Sequence, residues 1–137
     1  MNLDKFIAMA NEVEFLATTI GMELVSTPEP DEAVATLKVT QAVGQPFGFL
    51  NGGTSLAVAE NLAGIGSVVL DEAHIPMGLN VTANHLHSVP IGQSIKAVAK
   101  ILHQGKFTHV WNVDIFNEEG VLCSTARVTN YLITPKK

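Results

Sequence analysis

The feature that most constrains this chain is one uninterrupted helical stretch set between runs of alternating residues. It follows the segment Gln45-Pro-Phe-Gly-Phe-Leu-Asn-Gly-Gly and is expected to run from about Thr54 to Asp71. Leu56, Ala59, Ala63, Gly66 and Leu70 recur on one stripe at helical spacing. Gly64 and Gly66 each cost such a helix about 1 kcal/mol relative to Ala. They make sense if a sheet or a twin helix wraps the helix closely.

The flanking sequence reads as strand. Ala33, Ala35, Leu37 and Val39 alternate with polar residues before the helix. After Pro76, alternation recurs at Met77, Leu79, Val81 and Ala83, at Ile95, Ala97, Ala99 and Ile101, and at Trp111, Val113 and Ile115. Leu122, Ala126, Val128 and Leu132 mark a last strand, and Met22 to Ser26 a short first one. Turns are signalled at Pro90 and Gly92 and at Asn117-Glu-Glu-Gly120. Connections this short force antiparallel pairing. The expected class is therefore α+β, one antiparallel sheet on one long helix, in a single domain spanning residues 1–137. Leu3 to Ile20 reads as one or two short helices, stopped by Gly21.

Composition narrows the function classes. The net charge of −5 argues against nucleic acid as a partner. Apolar residues make up 47% and charged residues only 15%, which suggests surface buried in an oligomer. Cys123 is the sole cysteine, so no disulfide framework or cysteine metal site is expected, and a reducing cytoplasm fits. There is no signal-like N-terminus and no run of 18 apolar residues, so no membrane span is expected.

Chemistry concentrates around the helix. Gly52 and Gly53 let a ligand approach where first-turn N–H groups lack partners, a place suited to an oxyanion or a polarised carbonyl. Glu60 has Leu56, Ala57, Ala63 and Gly64 as helical neighbours, and no Lys or Arg occurs between Lys38 and Lys96. Partial burial without a cation is expected to raise its pKa toward that of a useful base; the alternative is a surface glutamate. Gln45 offers a neutral donor, or else stabilises its loop. Asn51, from spacing alone, is a turn residue or helix cap. His85, His87, His103 and His109 match no zinc spacing, so no metal is expected. Lys106, after Gly105, is either a phosphate contact or a solubilising turn lysine. Trp111 reads as core.

Taken together, Gln45 to Gly53 with Glu60, Gly78-Leu-Asn-Val-Thr-Ala-Asn-His85, Lys100-Ile-Leu-His-Gln-Gly105 and Val110-Trp-Asn-Val-Asp-Ile-Phe-Asn-Glu-Glu-Gly120 resemble the hotdog-fold acyl-CoA thioesterases. The branch resembled is that of the 4-hydroxybenzoyl-CoA, 1,4-dihydroxy-2-naphthoyl-CoA and phenylacetate-pathway enzymes. The likeness runs from Met22 to the end. It implies a sheet wrapped around the central helix and hydrolysis of an acyl-CoA, with no cofactor beyond that substrate. By the same resemblance Glu60 is the nucleophile or base, the Gly52 N–H polarises the carbonyl, and Gln45 and Asn51 assist. Coenzyme A contacts are implied near Gly53, Gly78, His85, His87, Ser88, Gly105, Lys106 and Phe107. Two positions depart from the pattern: Asn51 stands where the family has His, and Gly64 where it has Ser or Thr.

Gly53 and Glu60 are separated by about 10 Å along a helix. One thioester carbon does not easily reach both, so two antiparallel copies of the helix are expected to build the site. The resemblance likewise implies a homodimer, assembled further into a homotetramer. Two competing readings remain: an acyl-CoA binding or sensing module without catalysis, and a dehydratase or hydratase of the same fold.

Overall fold

The computed structural model describes residues 1–136. Two short helices, α1 (Asp4–Ala10) and α2 (Leu16–Thr19), precede strands β1 (Met22–Val25) and β2 (Glu32–Lys38). The long helix α3 (Gly52–Leu70) follows, and then β3 (Ile75–His85), β4 (Ser94–Gln104), β5 (Thr108–Phe116) and β6 (Leu122–Ile133). The six strands form one antiparallel sheet in the order β1-β2-β4-β5-β6-β3. The inner face of this sheet wraps α3, which is the hotdog arrangement. Helix α3 is long and apolar enough to span a bilayer by length and composition, but it is the core helix, in contact with β2, β3, β4, β5 and β6.

The expected alternation holds where strands are paired on both sides. Ala33, Ala35 and Leu37 of β2, Ile95, Ala97 and Ala99 of β4, and Trp111, Val113 and Ile115 of β5 are all buried against α3. Helix α3 contributes Val58, Ala59, Leu62, Ala63, Ile65 and Gly66. This buried face keeps Ala59, Ala63 and Gly66 of the expected stripe but leaves Leu56 and Leu70 half-buried. It widens to Ser55, Val58, Leu62, Ile65 and Ser67 because the sheet curls around the helix rather than lying under it. Gly66 is needed for that closeness: a Cβ there would stand 2.5 Å from Cη2 of Trp111. Gly64 is different. A Cβ there meets nothing within 4 Å, so close wrapping does not explain it.

One boundary and the phase of one strand depart from expectation. Helix α3 starts at Gly52 instead of near Thr54, because Asn51 is the N-cap and its Oδ1 accepts from the Gly53 N–H at 2.8 Å. In β3, Met77 and Leu79 are exposed although they were expected to share a face with Val81 and Ala83. The pairing of β3 with β6 shifts between Gly78 and Asn80, a bulge that adds one residue and inverts the phase. As a result Gly78 and His85, an odd number of residues apart, both face α3.

Candidate active site

The candidate site residues near α3 fall into two groups, each with its own cavity.

The first lies at the start of the helix. Gln45 to Leu50 forms a tight loop in which the Gln45 N–H donates to the Phe49 carbonyl at 2.7 Å and Gly48 takes φ +94°. The side-chain Oε1 of Gln45 accepts from the Phe47 N–H at 2.7 Å, which leaves its Nε2 as the free donor. Asn51 O accepts from the N–H groups of Thr54 and Ser55. Among the described residues nothing accepts from the Gly52 N–H, so it stands as an open donor at the positive end of the helix. His85 closes this corner. Its Nδ1 is 2.7 Å from Ser124 Oγ, and a Cβ on Gly52 would be 2.8 Å from its Nε2. Gln45, Gly52, His85, His87, Ser88 and Ser124 all line the same cavity of about 320 Å³.

The second group lies two turns further on. Glu60 opens onto a cavity of about 490 Å³, with Gly78 across from it and Asn61, Gly64, Ile65 and Val68 on the helix wall. Phe6, Met9 and Phe15 roof this cavity from α1 and the start of α2. A Cβ at Gly78 would overlap Glu60 Oε1, so this glycine makes room for the carboxylate. The expected burial of Glu60 is not found within one chain. It is exposed, because the sheet ends at β3 and leaves that side of the helix open.

The two cavities share no lining residue. Gly105, Lys106 and Phe107 lie elsewhere again, in the β4–β5 turn. Lys106 and Phe107 line a hollow with His74, Tyr131 and Ile133, beyond the C-terminal end of α3. Lys106 Nζ sits 5.5 Å over the Phe107 ring. With 19 residues, α3 separates this hollow from Gly52 by about 28 Å. Within one chain, then, Gln45, Asn51, Gly52, Gly53, His85, His87 and Ser88 gather at one end, Glu60 and Gly78 at the middle, and Gly105 to Phe107 at the other end.

Several lining residues escaped sequence reasoning. Ser124 and Asn130 are inward positions of β6 indistinguishable by pattern from core. Phe6, Met9 and Phe15 belong to helices whose placement over the cavity no local signal encodes. The i, i+3 apolar pairing of α1 was the available hint.

Comparison with known proteins adds a decisive observation. A family model described as the thioesterase superfamily matches residues 47–124, more than half of the chain, a span that includes Gly52, Glu60, Gly78 and His85. This chain belongs to the thioesterase superfamily. It is 43% identical over 115 residues to a 1,4-dihydroxy-2-naphthoyl-CoA hydrolase of Listeria monocytogenes, covering 83% of this chain and 92% of that protein. A 1,4-dihydroxy-2-naphthoyl-CoA hydrolase of Escherichia coli is 36% identical over 75% of this chain and 76% of its own. Among solved structures, a thioesterase of Haemophilus influenzae superposes with a TM-score of 0.87 at 32% identity, covering 98% of this chain and 92% of that one. The chain is thus a hotdog-fold thioesterase, and the expected fold and enzyme class both hold.

Proposed function

We propose that this thioesterase hydrolyses an acyl-CoA, with an aromatic or other small acyl group, at a site built from two copies of the chain. The observation that carries this reading is the separation of the open Gly52 N–H and the Glu60 carboxylate into unshared cavities along one helix. An antiparallel second α3 brings Gly52 of one protomer to Glu60 of the other. Strand β3 supports that pairing: it is an 11-residue edge strand with Ile75, Met77 and Leu79 exposed, which is a template for addition of another strand. The same operation carries Gly105, Lys106 and Phe107 toward the partner's His85, His87 and Ser88. Cations, imidazoles and backbone amides then line one path for the coenzyme A phosphates. A further pairing of dimers gives the homotetramer.

The chemistry follows from the two poles. The Gly52 N–H, with the Gln45 amide and the Asn51 Nδ2 beside it, hydrogen-bonds the thioester oxygen and stabilises its developing charge. Glu60 of the partner attacks the carbonyl carbon, or takes a proton from the water that does. When Glu60 attacks, the C–S bond breaks, the thiolate leaves as coenzyme A, and water hydrolyses the acyl–Glu60 anhydride to the free acid. When water attacks, C–S cleavage gives the acid directly and the proton taken by Glu60 passes to the leaving thiolate. The acyl group occupies the apolar cavity beside Glu60. The relatives named for 1,4-dihydroxy-2-naphthoyl-CoA make that thioester the first substrate to try.

The test is steady thiol release from a panel of acyl-CoAs by the purified protein and by Glu60→Ala. At least a hundredfold loss in kcat is expected. A variant with near-native turnover refutes the role of Glu60. One observation favours a binding module instead: Asn51 Oδ1 is committed to the helix cap, and an amide moves no proton. Tight acyl-CoA binding without turnover over hours would establish that alternative.

A further inference from the structure

Among the described residues, five polar ones are buried: Ser55, Ser67, His109, Ser124 and Asn130. Four of them have a side-chain partner. Ser67 Oγ meets His109 Nδ1 and Trp111 Nε1 at 2.8 Å and the Asn130 amide at 3.1 Å. Ser124 Oγ meets His85 Nδ1 at 2.7 Å. Ser55 is the exception. It is 4% exposed, and its hydroxyl makes no hydrogen bond among the described residues.

The neighbouring Thr54 shows the ordinary outcome, since its Oγ1 donates to the Val43 carbonyl at 2.9 Å. A hydroxyl withdrawn from water without a partner costs stability, so it calls for a reason. No side-chain polar atom fully sealed from solvent lacks a partner, and Ser55 lines the cavity at the start of α3. Its hydroxyl therefore opens onto that cavity. Ser55 stands three residues after Gly52, on the same face of the helix, and the Cα–Cβ bond of a helical residue tilts toward the helix start. The hydroxyl thus leans toward the Gly52 N–H, which is itself without an acceptor. Groups three residues apart on one helix face are spaced by about 5–6 Å. An oxygen atom held between two such donors lies about 3 Å from each, which is hydrogen-bond distance.

We propose that Ser55 is a further catalytic residue, whose Oγ–H donates to the thioester oxygen beside the Gly52 N–H. This rests on the reading that the thioester oxygen docks at Gly52. Gln45 and Asn51 reach that corner from a loop, whereas Ser55 and Gly52 share one helix and keep a fixed spacing. No bond forms or breaks at Ser55. The hydroxyl turns about χ1 and follows the oxygen as the carbonyl carbon becomes tetrahedral and negative charge gathers on it. Its contribution is then larger in the transition state than in the bound substrate, so its loss falls on kcat and leaves KM nearly unchanged.

The experiment compares Ser55→Ala with the wild-type protein in thiol release from benzoyl-CoA and 1,4-dihydroxy-2-naphthoyl-CoA, and in urea unfolding. A fall in kcat of about tenfold or more is expected, with KM within about threefold. Because the hydroxyl has no internal partner and Ala is the better helix former, the urea midpoint should hold or rise. A kcat within threefold of wild type would overturn the proposal. So would a loss of kcat that comes with a lowered midpoint, which marks a structural hydroxyl. Should the wild type release no thiol from any acyl-CoA, the function proposed above fails, and binding decides the role of Ser55. Phenacyl-CoA carries a ketone where 2-phenylethyl-CoA has a methylene, so the ratio of their affinities by calorimetry reads the contact to oxygen. A preference for the ketone that shrinks threefold or more in Ser55→Ala supports the assignment. No preference, or one unchanged by the substitution, overturns it.

Discussion

Gly78 and Glu60 fit together as a socket and its carboxylate: the hydrogen at Gly78 is the only side chain that leaves room for Oε1. Gly78→Ala must push the carboxylate aside or bend the edge strand. We expect a drop in kcat of tenfold or more, with secondary structure unchanged by circular dichroism. Unaltered turnover would show that the Glu60 position seen here is not the working one.

Gly52 is the first residue of α3, where proline is tolerated because the missing N–H has no helical partner. Gly52→Pro therefore deletes the proposed carbonyl donor at a tolerated helix position. Because its Cβ also presses on His85 Nε2, Gly52→Ala, which adds the same Cβ but keeps the N–H, is the control. For the proline variant a loss of about 100-fold or more in kcat is expected, the scale for removing one oxyanion donor. Mixing this variant with Glu60→Ala tests the shared site. In a mixed dimer one site collects both defects and the other collects none, so activity should reappear at roughly a quarter of wild type for random pairing at full exchange. Absence of complementation under exchanging conditions would place both groups in the same chain.

The two helical glycines should part company. Gly66→Ala drives a methyl into the buried Trp111 ring and is expected to destabilise by about 1–3 kcal/mol. Gly64→Ala meets open space and gains helix propensity, up to about 1 kcal/mol. Denaturant midpoints of the two variants measure both effects. The Gly64 methyl also enters the cavity proposed for the acyl group, so KM for bulky acyl groups should rise.

The pKa of His109 is lowered, chiefly by burial, with His103 and His74 adding to the effect and Asp71 opposing it. A depressed folded-state value means that the unfolded chain binds the proton first. Stability is then fully present above the ordinary histidine pKa of about 6.5 and is lost as pH falls below it. Thermal midpoints should decline over that range, and His109→Asn should flatten the slope. An identical slope in the variant would assign the loss to other groups.

Much of this was legible because it is local. Asn51 reads as a cap and folds as one, and the glycine pair at the helix start leaves a donor open. The period-two pattern of β2, β4 and β5 survives folding because both neighbours of each strand are fixed by hairpins or by direct pairing. The phase of β3 was not legible. Its bulge arises from fitting a strand to β6 and α3 at once, and alternation alone cannot show where the extra residue goes.

By itself, the chain determined its long helix, its antiparallel strands and the spacing along that helix between a glycine turn and Glu60. These depend on spacing, and spacing is written in the order of residues. Only the tertiary structure decided that Glu60 lies exposed at an open sheet edge, that His85 guards Gly52, and that Ser67, His109, Trp111 and Asn130 meet. Those contacts join residues up to 63 positions apart. Their geometry is set by how a curled sheet closes on a helix, which no local preference encodes.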